Sequence, residues 1–138
     1  MLAVEDYLFS LKWVRSIGGL DGMISRCNLN AGVIFDFIEE SSWLRNLAES
    51  LDTRSNTSVC LVFDDSRIEN EKQFAKNLCA RLEKEGVAFD IGSYRDAPAG
   101  LRIWCGGTVE LDSLRSLVIW IKWAFEMEIS SLENNSEK

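Results

Sequence analysis

Histidine is absent from this 138-residue sequence. That removes the side chain most used for general acid–base work near neutral pH, any Ser-His-Asp triad and every histidine-ligated metal. Proline occurs once, at Pro98, and tyrosine twice. The four cysteines, Cys27, Cys60, Cys79 and Cys105, lie 33, 19 and 26 positions apart, so no CxxC pair supports a zinc site or a dithiol centre. Each sits in an apolar pattern and is expected as a small core residue in a reducing cytoplasm. No apolar run approaches the roughly 18 residues of a membrane helix. The start, MLAVEDYLFSLKW, carries Glu5 and Asp6 and lacks the basic region of a secretory signal. Acids outnumber bases by 22 to 15, and the net charge of -7 argues against nucleic acid or an anionic membrane as partner.

What is present suits one soluble domain. With 46% of residues hydrophobic and 27% charged, the chain can bury a core of its own. Residues 3–17 place Val4, Tyr7, Leu8, Leu11, Val14 and Ile17 at helical spacing, and Gly18-Gly19 is expected to end that helix in a left-handed cap. The helix begins abruptly, without a capping residue, as one cut from a longer chain would. A second helix is expected over residues 21–40, with Ile24, Cys27, Ala31, Ile34, Phe35 and Ile38 inward and Asn28 and Asn30 toward solvent. Residues 43–51 read as a helical turn or a loop whose Trp43, Leu44 and Leu47 cap the core. Residues 57–63, TSVCLVF, have the uninterrupted β-branched pattern of a buried central strand. A third helix, over residues 70–85, turns Phe74, Ala75, Leu78, Cys79 and Leu82 inward and leaves Arg81 on a solvated face. Strands over 87–91 and 101–105 follow, joined by an antiparallel return. Thr108 caps a last helix over 111–129, and the polar residues 131–138 are expected to be disordered. The order is ααβαββα. The fold class is α/β (α+β), a small mixed, mainly antiparallel sheet of three or four strands packed by helices.

One stretch concentrates the unusual residues. Residues 94–110, YRDAPAGLRIWCGGTVE, hold the single proline and three glycines, with Gly92 just before. Pro98 and Gly100 suit a sharp reversal, Gly100 by allowing a positive φ. Arg95 and Arg102 then flank a tight loop, and arginine is suited to a two-toothed grip on carboxylate or phosphate. From pattern alone, an arginine between Leu101 and Ile103 points to solvent or a surface carboxylate. Trp104 is expected in the core, Arg54 in a structural role, and Asp64 and Asp65 in a solvated loop rather than at a metal.

YRDAPAGLRIW, with RSNTSVCL upstream and GGLDGMISRCNLNA earlier, resembles the C-terminal domain of the phosphoserine aminotransferases over about residues 2–128. The resemblance implies the small domain of an aspartate-aminotransferase-like fold over residues 1–130, with residues 1–18 as the helix connecting it to a large domain. It implies amino transfer between glutamate and 3-phosphohydroxypyruvate in serine biosynthesis, by a cytoplasmic homodimer using pyridoxal phosphate as electron sink. In such enzymes the Schiff-base lysine and the cofactor's phosphate cup lie in the large domain. None of Lys12, Lys72, Lys76, Lys84, Lys122 or Lys138 has the strand-then-loop setting of a desolvated Schiff-base lysine. No catalytic, cofactor-binding or metal-binding residue is therefore assigned, no cofactor is expected on this chain alone, and the chain alone is expected to be inactive.

What the resemblance implies for this domain is a grip on a phosphoserine- or glutamate-type substrate. Arg102 matches the arginine that holds the substrate α-carboxylate, and Arg95 one on the phosphate side. Tyr94 stands where the family usually carries histidine, in a turn one residue longer. The pattern is also compatible with a ferredoxin-like or ACT-like module. The alternative function is a free-standing module, derived from such an enzyme, that binds a small anion or a protein partner.

Overall fold

The computed structural model describes residues 1–136. Its elements are α1 (Leu2–Ser16), α2 (Gly19–Glu39), β1 (Leu44–Asn46), a 3-10 turn (Leu51–Thr53), β2 (Ser58–Phe63), α3 (Glu71–Lys84), β3 (Gly100–Trp104) and α4 (Leu111–Ser136). The strands form one sheet in the order β1-β2-β3, antiparallel throughout, with β2 central as its apolar run predicts. The small helix-packed sheet is as expected, but its strands fall differently: ααββαβα replaces ααβαββα.

Two local effects explain the change. Residues 43–51 supply a short strand because β2 offers them a paired edge; Asp64 N–H donates to Trp43 O and Leu47 N–H to Cys60 O. Residues 87–91 form no strand. Asp90 lies at φ 54, a left-handed conformation that interrupts extended backbone. The expected antiparallel return survives as a single bridge, Gly92 to Leu101. Arg102 N–H donates to Ile91 O at 2.7 Å and Ser93 N–H to Gly100 O at 3.2 Å.

Side-chain alternation assigns the sheet two unlike faces. Val59, Leu61 and Phe63 of β2, with Leu101 and Ile103 of β3, point into the core with α2, α3 and α4. Aromatic rings tie these layers together. Trp43 stacks on Phe125, with Phe37 edge-on to Trp43 and Phe74 edge-on to both Phe63 and Phe125. The other face carries Arg45, Cys60, Arg102 and Trp104. Trp104 is 53% exposed, not in the core as expected, because the pairing of Ile103 with Val59 turns its neighbour outward. Gly100 does not have positive φ. It is needed for another reason: a Cβ there would collide with the Leu61 carbonyl of β2.

Helix ends and charged faces bring further corrections. Gly18, at φ 100, is left-handed between α1 and α2, as its sequence predicts. Helix α4 starts at Leu111, so Glu110 rather than Thr108 precedes it. It also runs on to Ser136 instead of fraying after residue 129. Ser130, Ser131 and Asn134 each donate to the carbonyl four residues back, which lets polar residues continue the helix. Residues 137–138 of the expected tail lie outside the described residues. Arg81 is not merely solvated. Its Nε donates to Glu128 Oε1 of α4 at 2.8 Å, and the Glu128 side chain is buried.

The largest correction is Asn30. It is 2% exposed, and its amide donates to the carbonyls of Cys105, Gly106 and Val109 at 3.3, 3.2 and 2.9 Å. Arg26, one turn earlier, donates to Gly107 O at 2.8 Å and pairs with Glu110. Helix α2 thus clasps the loop leaving β3. Asn30→Leu leaves those carbonyls without their shared donor and should cost about 2–3 kcal/mol, read as a lowered urea midpoint with unchanged m-value. A loss below about 0.5 kcal/mol would show that the clasp is not needed.

Candidate functional site

Arg102 lies mid-strand on the sheet face opposite Leu101 and Ile103, held from three sides. Its Nη2 donates to the backbone carbonyl of Asp90 and to Asp90 Oδ2, both at 3.3 Å. Its guanidinium sits 4.4 Å from the centre of the Tyr94 ring, within the range of a cation–π contact. The side chain is only 16% exposed, whereas that of Asp90 is 94% exposed. An ion pair with so exposed a carboxylate at 3.3 Å is weak, so it holds the arginine only lightly. The buried Arg102 Nε has no acceptor in the described structure. A buried donor without an acceptor is unfavourable, and an incoming oxygen would relieve it.

The left-handed Asp90 that ends the expected strand also aims its carbonyl and carboxylate at Arg102. A turn follows, closed by Ala97 N–H to Tyr94 O at 3.0 Å. It places Arg95 over a groove of about 480 Å³ between α3 and residues 92–100. Tyr94 lines that groove as well as stacking on Arg102. The structure thus brings Tyr94 to each arginine but does not set Arg95 and Arg102 in one cavity. Sequence reasoning missed Asp90, whose only signal is an acid directly after a short apolar run.

The remaining candidates fall elsewhere. Arg54 donates to Ala48 O at 3.1 Å and lies over Phe35, a structural position. Asp65 forms a two-toothed pair with Arg67, at 3.0 and 2.7 Å, whose hydrogen bonds hold its carboxyl below the usual range. Among the described residues no group of acids and cysteines is arranged to hold a metal ion. Lys12, Lys72, Lys76, Lys84 and Lys122 are all exposed. None has the desolvated setting that a Schiff-base lysine requires, so these lysines do not fit pyridoxal phosphate. Lys138 lies outside the described residues. Among the described residues no helix is long and apolar enough to cross a membrane.

The cysteines are free thiols. Cys27 and Cys105 are buried, while Cys60 and Cys79 are only partly so. Burial pushes the Cys79 thiol up to about 11, aided by Glu83, and Cys105 up to about 12.

Comparison with known proteins shows that this chain resembles one portion of the phosphoserine aminotransferases. The chain is 51% identical over 127 residues to the phosphoserine aminotransferase of Methanosarcina barkeri, and 50% identical over 127 residues to that of Methanosarcina mazei. Each match covers 92% of this chain but 33% of the relative, so the chain spans about a third of their length. Phosphoserine aminotransferase from Bacillus circulans subsp. alkalophilus has the same fold, with TM-score 0.72 and 24% identity over 84% of this chain and 30% of that one. The PLP-bound enzyme from Trichomonas vaginalis superposes with TM-score 0.69 at 16% identity, over 80% of this chain and 30% of that one. The chain matches no protein-family model. The chain is a homologue of one portion of the phosphoserine aminotransferases, consistent with the C-terminal domain expected from its sequence.

With its thiol raised to about 11, Cys79 should hold roughly a hundredfold less thiolate at pH 7.5 than an ordinary cysteine. Its reaction with a disulfide reagent in the folded chain should be slow and rise steadily with pH toward 11. A plateau near pH 9 would contradict this.

Proposed function

We propose that this chain supplies the substrate grip of a phosphoserine aminotransferase, with Arg102 holding the substrate α-carboxylate and Arg95 and Tyr94 on the phosphate side. The observation that carries the reading is the buried, unsatisfied Nε of Arg102, part of a guanidinium already oriented by Tyr94 and Asp90. A carboxylate binds arginine best through two parallel N–H donors, and ordering the guanidinium in advance lowers the entropy lost on binding.

The reaction in this reading moves an amino group between glutamate and 3-phosphohydroxypyruvate. Pyridoxal phosphate, when bound, supplies the electron sink. The lysine that carries it belongs to a large domain, in the same or a separate chain, within a cytoplasmic homodimer. The exposed apolar side chains of α1, among them Leu2, Val4, Tyr7 and Phe9, support such a neighbour, because none of that helix's residues is buried here. This chain's part is to bind and orient. Arg102 fixes the carboxylate end, and Tyr94 keeps the guanidinium plane in place.

Calorimetric titration with phosphoserine and with glutamate tests the assignment. Arg102→Ala should weaken both by roughly 30-fold or more, as expected for losing a charge-assisted pair of about 2 kcal/mol. Arg102→Lys keeps the charge but not the fork, and should recover only part of the loss. Binding that survives Arg102→Ala unchanged would sink the arginine-centred site.

A further inference from the structure

The groove between α3 and residues 92–100 holds charge that this reading leaves unused. Lys72 and Lys76 line it together with Arg95. They are four residues apart on α3, which puts both on one face of the helix. Among the described residues none of the three cations pairs with a carboxylate; Lys12, Arg15, Arg45, Arg54, Lys84 and Lys122 are unpaired too, but none of those six lines this groove. The net charge is -7, so a gathering of unpaired cations runs against the composition of the chain. Glu83 lines the same groove from farther along the helix, about 10 Å of axial rise beyond Lys76.

We propose that Lys72 and Lys76 complete the phosphate end of the substrate site, supplying the positive charge that Tyr94 cannot. The proposal rests on the reading of Arg102 and Arg95 above. Tyr94 makes the connection: one ring both stacks on Arg102 and lines the groove. Tyr94 thus borders both the carboxylate-side arginine and the groove that holds Arg95, Lys72 and Lys76. Lysine is a compact point charge with rotatable donors, suited to a phosphate dianion in any orientation. A singly charged carboxylate gains less from the same pair. The two lysines therefore set the preference for a phosphorylated substrate over glutamate.

The test is titration of the full 138-residue chain with phosphoserine, glutamate and inorganic phosphate. Lys72→Met/Lys76→Met is compared with Lys84→Met/Lys122→Met, an equal charge change outside the groove. All four side chains are exposed, so thermal melts should stay unchanged. Phosphoserine and phosphate affinity should fall about tenfold in the groove variant, with glutamate within about twofold, and the control should bind normally. Lys72→Arg/Lys76→Arg should restore most of the loss. Equal weakening in both charge variants would reduce the effect to bulk charge and overturn the proposal. Unchanged phosphoserine affinity in the groove variant, with loss in Arg102→Ala, would overturn it while leaving the arginine reading intact. A wild-type chain that binds neither phosphoserine nor phosphate would overturn both.

Discussion

The pairing of Leu101 with Leu61 and Ile103 with Val59 decides which way every side chain of β3 points. Those four residues are buried in the core beneath α2, α3 and α4, so the residues between them must face the other way. A slip of one position would bury Arg102 and expose Ile103, at the cost of an unpaired charge in an apolar layer. Gly100 guards this register. Only a residue without Cβ lets the start of β3 lie against the Leu61 carbonyl. The apolar core and the position of the arginine are thus consequences of one pairing.

A strand position alone does not fix a long side chain; for Arg102 the loop before β3 does that. Asp90, in its left-handed conformation, contributes a carbonyl and a carboxylate, and Tyr94 contributes its ring. At the far end, Asn30 and Arg26 tie down residues 105–110. The same clasp holds the start of α4, and α4 in turn carries Phe125 into the aromatic core and Glu128 to Arg81. The strand that carries Arg102 and the core therefore share their supports.

Much of this was legible in the residues. The β-branched run of β2 and the periodic faces of the helices reflect burial, which leaves a strong pattern in sequence. What stayed hidden depends on partners distant along the chain. Leu44 and Asn46 become a strand only because β2 lies beside them. Asn30 looks like a solvated polar residue on a helix until three carbonyls arrive from 75 to 79 positions away. Trp104 looks like core because it is large and apolar, yet alternation from Ile103 turns it outward. The motif singled out Arg102, Arg95 and Tyr94 as candidates, but not the stacking of Tyr94 on Arg102. Asp90 was not legible, since its part depends on a backbone angle that sequence does not announce.

Tyrosine at position 94 redistributes the work of the site. A phenol ring offers guanidinium a broad electron-rich face, and at an exposed position such a contact contributes about 0.5–1 kcal/mol. That is enough to favour one orientation of Arg102 without locking it. A phenol carries no positive charge at neutral pH, however, so it adds nothing to the attraction for a dianion. In the proposed reading, steering of the arginine and charge for the phosphate are thereby separated, and the charge comes from elsewhere. Tyr94 stacks on Arg102, and the cations that share its groove are Arg95 on its own turn and Lys72 and Lys76 across it. With no histidine anywhere in the chain, the proposed grip on anions depends on arginine and lysine alone.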